Sequence, residues 1–192
     1  IWKGSRCICK WAGETAVSGV SLVNTIATLL IYVFTALATG GAVVAAQALG
    51  AKKEEMAVKV SNQLILICFS SAVFITVLCV LLNRQILGLI YGKVEHDVME
   101  NAVIYFYITS FSFPFISVYY GATALFRSMG NSKLSMYVST IMNILNIVGN
   151  AILVYGFDMG IAGVGWATLI SRAVAGIIVI VVLRNQDLDL HI

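Results

Sequence analysis

TIMNILNIVGNAILVYG, residues 140–156, is apolar enough to lie in lipid, yet it carries Asn143, Asn146 and Asn150. At about 100° per residue of α-helix, the three amides fall within roughly 60° of one another on one face. A buried amide without a partner is costly in hydrocarbon, so the stripe must face protein or water. Spacing alone leaves two roles open. Asn side chains hydrogen-bond across membrane helices, which would make the stripe interhelical glue. They also line aqueous cavities that handle cations or polar solutes.

The surrounding chain settles what kind of helix this is. Of 192 residues, 60% are hydrophobic and 11% charged, and the mean hydropathy is +0.95. Soluble domains average about 45–50% apolar and about 25% charged. Apolar runs of spanning length recur, without the alternation of a membrane β-barrel. The reading is all-α: a polytopic transmembrane bundle with about five spanning helices. They are expected over about Thr15–Leu49, Met56–Leu82, Val98–Phe126, Leu134–Tyr155 and Ile161–Leu183, making residues 15–183 one bundle and 184–192 a cytoplasmic tail. The partner this implies is a lipid bilayer, with residence in the plasma (inner) membrane. The first run has about 35 residues, or roughly 50 Å of helix. It exceeds a ~30 Å hydrocarbon core and is expected to tilt, project or bend, most naturally at Gly40-Gly41.

Lys52, Lys53, Lys59, Arg127, Lys133 and Arg184 lie in loops on one side if all five runs span, against Arg84 and Lys93 on the other. Basic residues mark the cytoplasmic face. Lys3, Arg6 and Lys10 run against that bias. Pro114 is expected to kink the third run, beside a cavity or not. Arg172, in TLISRAVAG, either snorkels to an interface or faces a protein interior. In RSMGNSK, Gly130 suits a helix C-terminus and Asn131 or Ser132 an N-cap. Gly156, Gly160, Gly163 and Gly165 read as small-residue helix packing.

Chemistry-bearing motifs are sparse. His96 and His191 form no H-E-x-x-H, and no P-loop, G-x-S-x-G or G-x-G-x-x-G occurs, so no enzyme and no nucleic-acid binder is indicated. Cys68 and Cys79 read as small core hydrophobes. Cys7 and Cys9 form a C-x-C with no second cluster to complete a zinc site, and no cofactor is expected. Polar residues accumulate elsewhere in the runs: Asn24, Thr25, Thr28, Thr35, Thr39 and Gln47 in the first, and Tyr105, Tyr107, Tyr119 and Tyr120 in the third. Polar and aromatic side chains turned inward suit a solute pathway, whereas no carboxylate in the runs offers a proton relay.

LATGGAVVAAQALGAKKEEMA (37–57) resembles the end of the second helix and the following cytoplasmic loop of the multidrug and toxic compound extrusion (MATE) family. FPFISVYYGATALFRSMGNSKLSMY (113–137) resembles its fourth helix and Arg-x-x-Gly loop. IMNILNIVGNAILVYGFDMGIAGVGWATLISR (141–172) resembles its fifth and sixth helices. The resemblance runs from about Gly13 onward and implies helices two to six of the first of two six-helix lobes. It further implies a twelve-helix antiporter that exports drugs or organic cations in exchange for Na⁺ or H⁺. The second lobe would lie in the same or another chain.

Many relatives carry an Asp in the first helix, ahead of a Trp-x-Gly-Glu similar to Trp11–Glu14. Here KGSRCICKWAGE has no Asp, so residues 1–14 are expected to be a degraded or truncated end of that helix. Some relatives also place an Asp where Asn150 stands, and an amide cannot carry a proton near neutral pH. On this resemblance the ion or solute pathway is expected at Asn143, Asn146, Asn150, Asn24, Tyr32 and Thr35. The alternatives are a flippase of the same superfamily for lipid-linked oligosaccharides, or a truncated membrane protein that does not transport.

Overall fold

The computed structural model describes residues 14–92, 96–157 and 160–189, and among them all regular structure is helical. The expectations for residues 1–13, Cys7 and Cys9 included, lie outside the described residues. The helices are α1 (Glu14–Gly50), α2 (Glu54–Leu81), α3 (Asn83–Tyr91), α4 (His96–Ser110), α5 (Phe113–Ser128), α6 (Ser132–Ala151) and α7 (Gly160–Asp189). A single π-helical turn, Ile152–Gly156, extends α6. Four helices are long and apolar enough to cross a membrane. The pair α4–α5, bent by 50°, is long and apolar enough together to be a fifth, broken crossing. The protein is an integral, multi-pass membrane protein.

The surface is apolar and the interior partly polar, the reverse of a soluble domain. On α2, Leu66, Phe74 and Leu81 point outward, while Ser61, Thr76, Ser110, Ser117 and Thr123 are buried. Lipid tails are as apolar as leucine, so burying leucine gains little there; close packing and interhelical hydrogen bonds hold the helices instead. Ser117 Oγ on α5 donates to Cys68 O on α2 at 2.7 Å, with both residues fully buried. Ser117→Ala is expected to cost about 0.6 kcal/mol, the average for such bonds in a membrane bundle. A drop in Tm in detergent, restored by Ser117→Thr, would measure it.

Three expectations are corrected. α1 runs unbroken for 37 residues through Gly40 and Gly41. Gly41 serves close approach, since a Cβ there would collide with the Leu64 side chain of α2. The third apolar run is not one helix but two. Ser112 N–H donates to Thr109 O at 2.9 Å, and its hydroxyl donates to the same carbonyl at 2.6 Å. Hydroxyls bonding to nearby backbone offer the chain this alternative to a continuing helix. Pro114 then sits in the first turn of α5, where its missing N–H costs nothing.

The third correction is at the chain's polar stretches. The segment after α2 holds the amphipathic helix α3, tied down by Asn83 Nδ2 donating to Val103 O (3.0 Å) and Tyr91 OH donating to Leu22 O (2.9 Å). The expected tail from Arg184 is helical as far as Asp189. Gly130 takes the left-handed conformation (φ +81°) expected after a helix, although Asn131 makes no side-chain cap bond to α6.

The broken span α4–α5 is central. α1 and α2 pack on one side of it and α7 on the other, while α6 leans chiefly on α7. Phe34, Phe106, Phe113 and Phe126 fill the core, with Phe34 and Phe113 ring centroids 6.4 Å apart.

Candidate functional site

Asn146 and Asn150 lie one turn apart on α6, so their side chains meet on one face. Asn150 Nδ2 donates to Asn146 Oδ1 at 3.0 Å. Asn146 Nδ2 reaches across to α7, donating to Ser171 Oγ at 3.2 Å and, at the limit of bonding distance, to Thr168 Oγ1 at 3.5 Å. The two hydroxyls spend their own protons on their own helix, Thr168 on Val164 O (2.9 Å) and Ser171 on Thr168 O (3.0 Å). Their oxygens therefore face α6 as acceptors. Asn150 Oδ1 is buried and has no hydrogen-bond partner, an amide oxygen held ready inside the bundle.

Thr168 and Ser171 were absent from the expected pathway, although their i, i+3 spacing puts both on one face of α7. A serine and a threonine in an apolar run look ordinary until the facing helix supplies an amide. Close approach makes the meeting possible, since a Cβ on Gly149 would stand 3.2 Å from the Ala167 Cβ.

The other expected residues do not join this cluster by hydrogen bonds. Asn143 stays exposed and donates to Ser139 O at 2.8 Å. Asn24 accepts a long bond from the Tyr105 hydroxyl (3.4 Å). Thr35 donates to Ile31 O at 2.8 Å, and Tyr32 is 66% exposed on α1. Thr25, Thr28 and Thr39 bond to their own helix in the same way as Thr35. The α1 hydroxyls thus present lone pairs, not protons, to whatever faces them.

Arg172 forms a second polar point on α7, aimed away from the amide cluster. It does not snorkel: Nη1 donates to Ser112 Oγ at 2.7 Å, at the break between α4 and α5.

The match to known proteins agrees with this architecture. The MatE family model aligns with residues 5–152, most of the chain. The chain belongs to the MatE family. This MatE chain is 30% identical over 190 residues to the uncharacterized transporter YisQ of Bacillus subtilis (strain 168), covering 92% of this chain and 39% of YisQ. It is 27% identical over 173 residues to the multidrug export protein MepA of Staphylococcus saprophyticus, covering 90% and 38%. An outward-facing structure of a multidrug resistance MATE family transporter of the MOP superfamily superposes with a TM-score of 0.83 at 21% identity, over 90% of this chain and 38% of that one. The inward-facing structure superposes with a TM-score of 0.81 at 22% identity, over 87% and 38%. The chain spans about 40% of the length of the curated relatives it matches.

Proposed function

We propose that this MatE chain supplies first-lobe helices of a secondary antiporter that exports drugs or organic cations in exchange for Na⁺ or H⁺ by alternating access. The observation that carries the reading is the α6–α7 cluster, where a buried amide oxygen of Asn150 has no partner beside the hydroxyl oxygens of Thr168 and Ser171. Such neutral oxygens suit a hard cation such as Na⁺, and they cannot carry a proton near neutral pH. Proton coupling would then rest on residues outside this cluster.

Rigid-body motion is supported by the same lobe fold matching an outward-facing and an inward-facing transporter almost equally well. A lobe that keeps its fold in both states moves as a body, which is how paired repeats rock about a midplane site. An ion that binds the two states differently then shifts their populations. In this reading Asn143, Asn24, Tyr32 and Thr35 line the rest of the pathway, and the Lys52, Lys53, Arg127 and Lys133 ends face the cytoplasm.

The test is efflux of a fluorescent cationic dye from cells expressing the complete transporter, with a Na⁺ or pH gradient imposed. The expected result is gradient-driven loss of dye, faster than in cells without the protein. Dye accumulation unchanged by expression under both gradients would overturn transport in favour of a scaffold.

A further inference from the structure

Arg172 stands midway along the span Gly160–Leu183, level with the break in the neighbouring span. Ser112 Oγ, which accepts its Nη1 proton, donates in turn to Thr109 O at the C-terminal end of α4. That end carries the negative pole of the half-helix. Where discontinuous helices hold cations, such C-terminal ends are the coordinating groups. Here the cation is tethered to the protein.

One hydrogen bond uses one of five guanidinium donors. Among the described residues Arg172 has no further acceptor and no carboxylate partner. The acidic residues of α4, Asp97 and Glu100, lie at its far end, about 20 Å along the helix from Ser112. The electrostatic neighbours are instead the phenols of Tyr105 and Tyr120. Tyr120 is half-buried and has Tyr32, exposed on α1, as a neighbour of its own, so the polar row runs from the interior to the bundle surface. An unneutralised charge at midplane costs at least about 3 kcal/mol, and charges kept at that depth pair with something.

We propose that Arg172, with the Tyr120 hydroxyl beside it, receives an oxyanion at the membrane midplane. The planar fork of a guanidinium matches a carboxylate or sulfonate bidentately, and the Tyr120 phenol adds a donor. Two sources share this chemistry: the acidic group of an amphipathic solute, and a carboxylate side chain in the remainder of the transporter. The site is separate from the amide cluster, because Thr168 and Ser171 face α6 while Arg172 faces α4 and α5. Only the solute source rests on the transport reading above, and it adds amphipaths that bear an acidic group to the substrate class.

The test uses the complete transporter in lipid nanodiscs, with calorimetric binding of naphthalene-2-sulfonate against its trimethylammonium counterpart. A solute site predicts that wild type prefers the sulfonate by about tenfold or more, the equivalent of one charge-assisted hydrogen bond. Arg172→Lys would keep part of that preference and Arg172→Gln would lose it. An internal carboxylate predicts no sulfonate preference in wild type, but a carboxylate that reacts with carbodiimide only in Arg172→Gln, located by mass spectrometry. The proposal is overturned if wild type shows no preference and Arg172→Gln, equally monodisperse, unmasks no carboxylate. Dye efflux that persists under that outcome would leave the antiporter reading standing without this site.

Discussion

Asn150→Leu in the complete transporter is expected to bring dye efflux down to the background of cells lacking it, while the protein still reaches the membrane folded. The two halves of this result have different physical origins. For the fold, leucine removes one donor to Asn146 Oδ1, and membrane hydrogen bonds average about 0.6 kcal/mol with a ceiling near 2. Asn146 keeps its bonds to Ser171 and Thr168 across the helix pair, so α6 stays seated on α7. For transport, leucine deletes a buried amide oxygen that has no protein partner in the α6–α7 cluster. Asn150→Asp is the companion variant: it retains an oxygen at that place and adds a titratable group, so efflux is expected to survive and to become pH-dependent. Efflux by Asn150→Leu at the parent rate would remove Asn150 from the pathway and leave the amide pair as glue alone.

Gly176→Val is expected to destabilise the bundle strongly. A Cβ at this position of α7 would stand 3.2 Å from the Phe115 carbonyl oxygen and 3.5 Å from its Cα. Those atoms belong to the backbone of α5 and cannot rotate away, so the helices must part. Overpacking of this kind costs about 1–3 kcal/mol and occasionally more. The same displacement would draw Arg172, one turn earlier, away from Ser112. Gly40→Val is the control, because a Cβ there meets nothing within 4 Å. Thermal unfolding in detergent should show a fall of several degrees for Gly176→Val and little change for Gly40→Val. Equal Tm values would mean that α5 and α7 are not held at this distance in the membrane.

Most of the fold was legible because the signals were long. Five apolar runs, each near the length of a bilayer core, outweigh any local detail, and their order and spacing carried the family resemblance. What escaped was decided by a few residues. The break before Phe113 depends on Ser112 turning its hydroxyl back to Thr109, which no periodicity reports. Helix α3 was hidden because nine residues with Asn83, Arg84 and Gln85 among them read as a loop until Asn83 and Tyr91 find carbonyls on other helices. At the candidate site, the helical spacing put Asn146 and Asn150 on one face, where the structure pairs them. Asn143, within the same 60° arc, points to solvent or lipid because α7 covers only part of that face. Thr168, Ser171 and the destination of Arg172 depend on which helices meet, and that information lies outside any single run.

The contact between Arg172 and Ser112 joins residues 60 positions apart, and that separation has a meaning in time. At about 5–20 residues per second, a ribosome that has finished Ser112 takes about 3–12 seconds to reach Arg172. Throughout that interval the two halves of the broken span leave the ribosome with no guanidinium at their junction, and α7 delivers it. Assembly of this bundle is therefore ordered from the rear. The central span is inserted early but acquires its midplane partner only when α7 arrives, so chains released before that point would be the ones membrane quality control meets with an open joint.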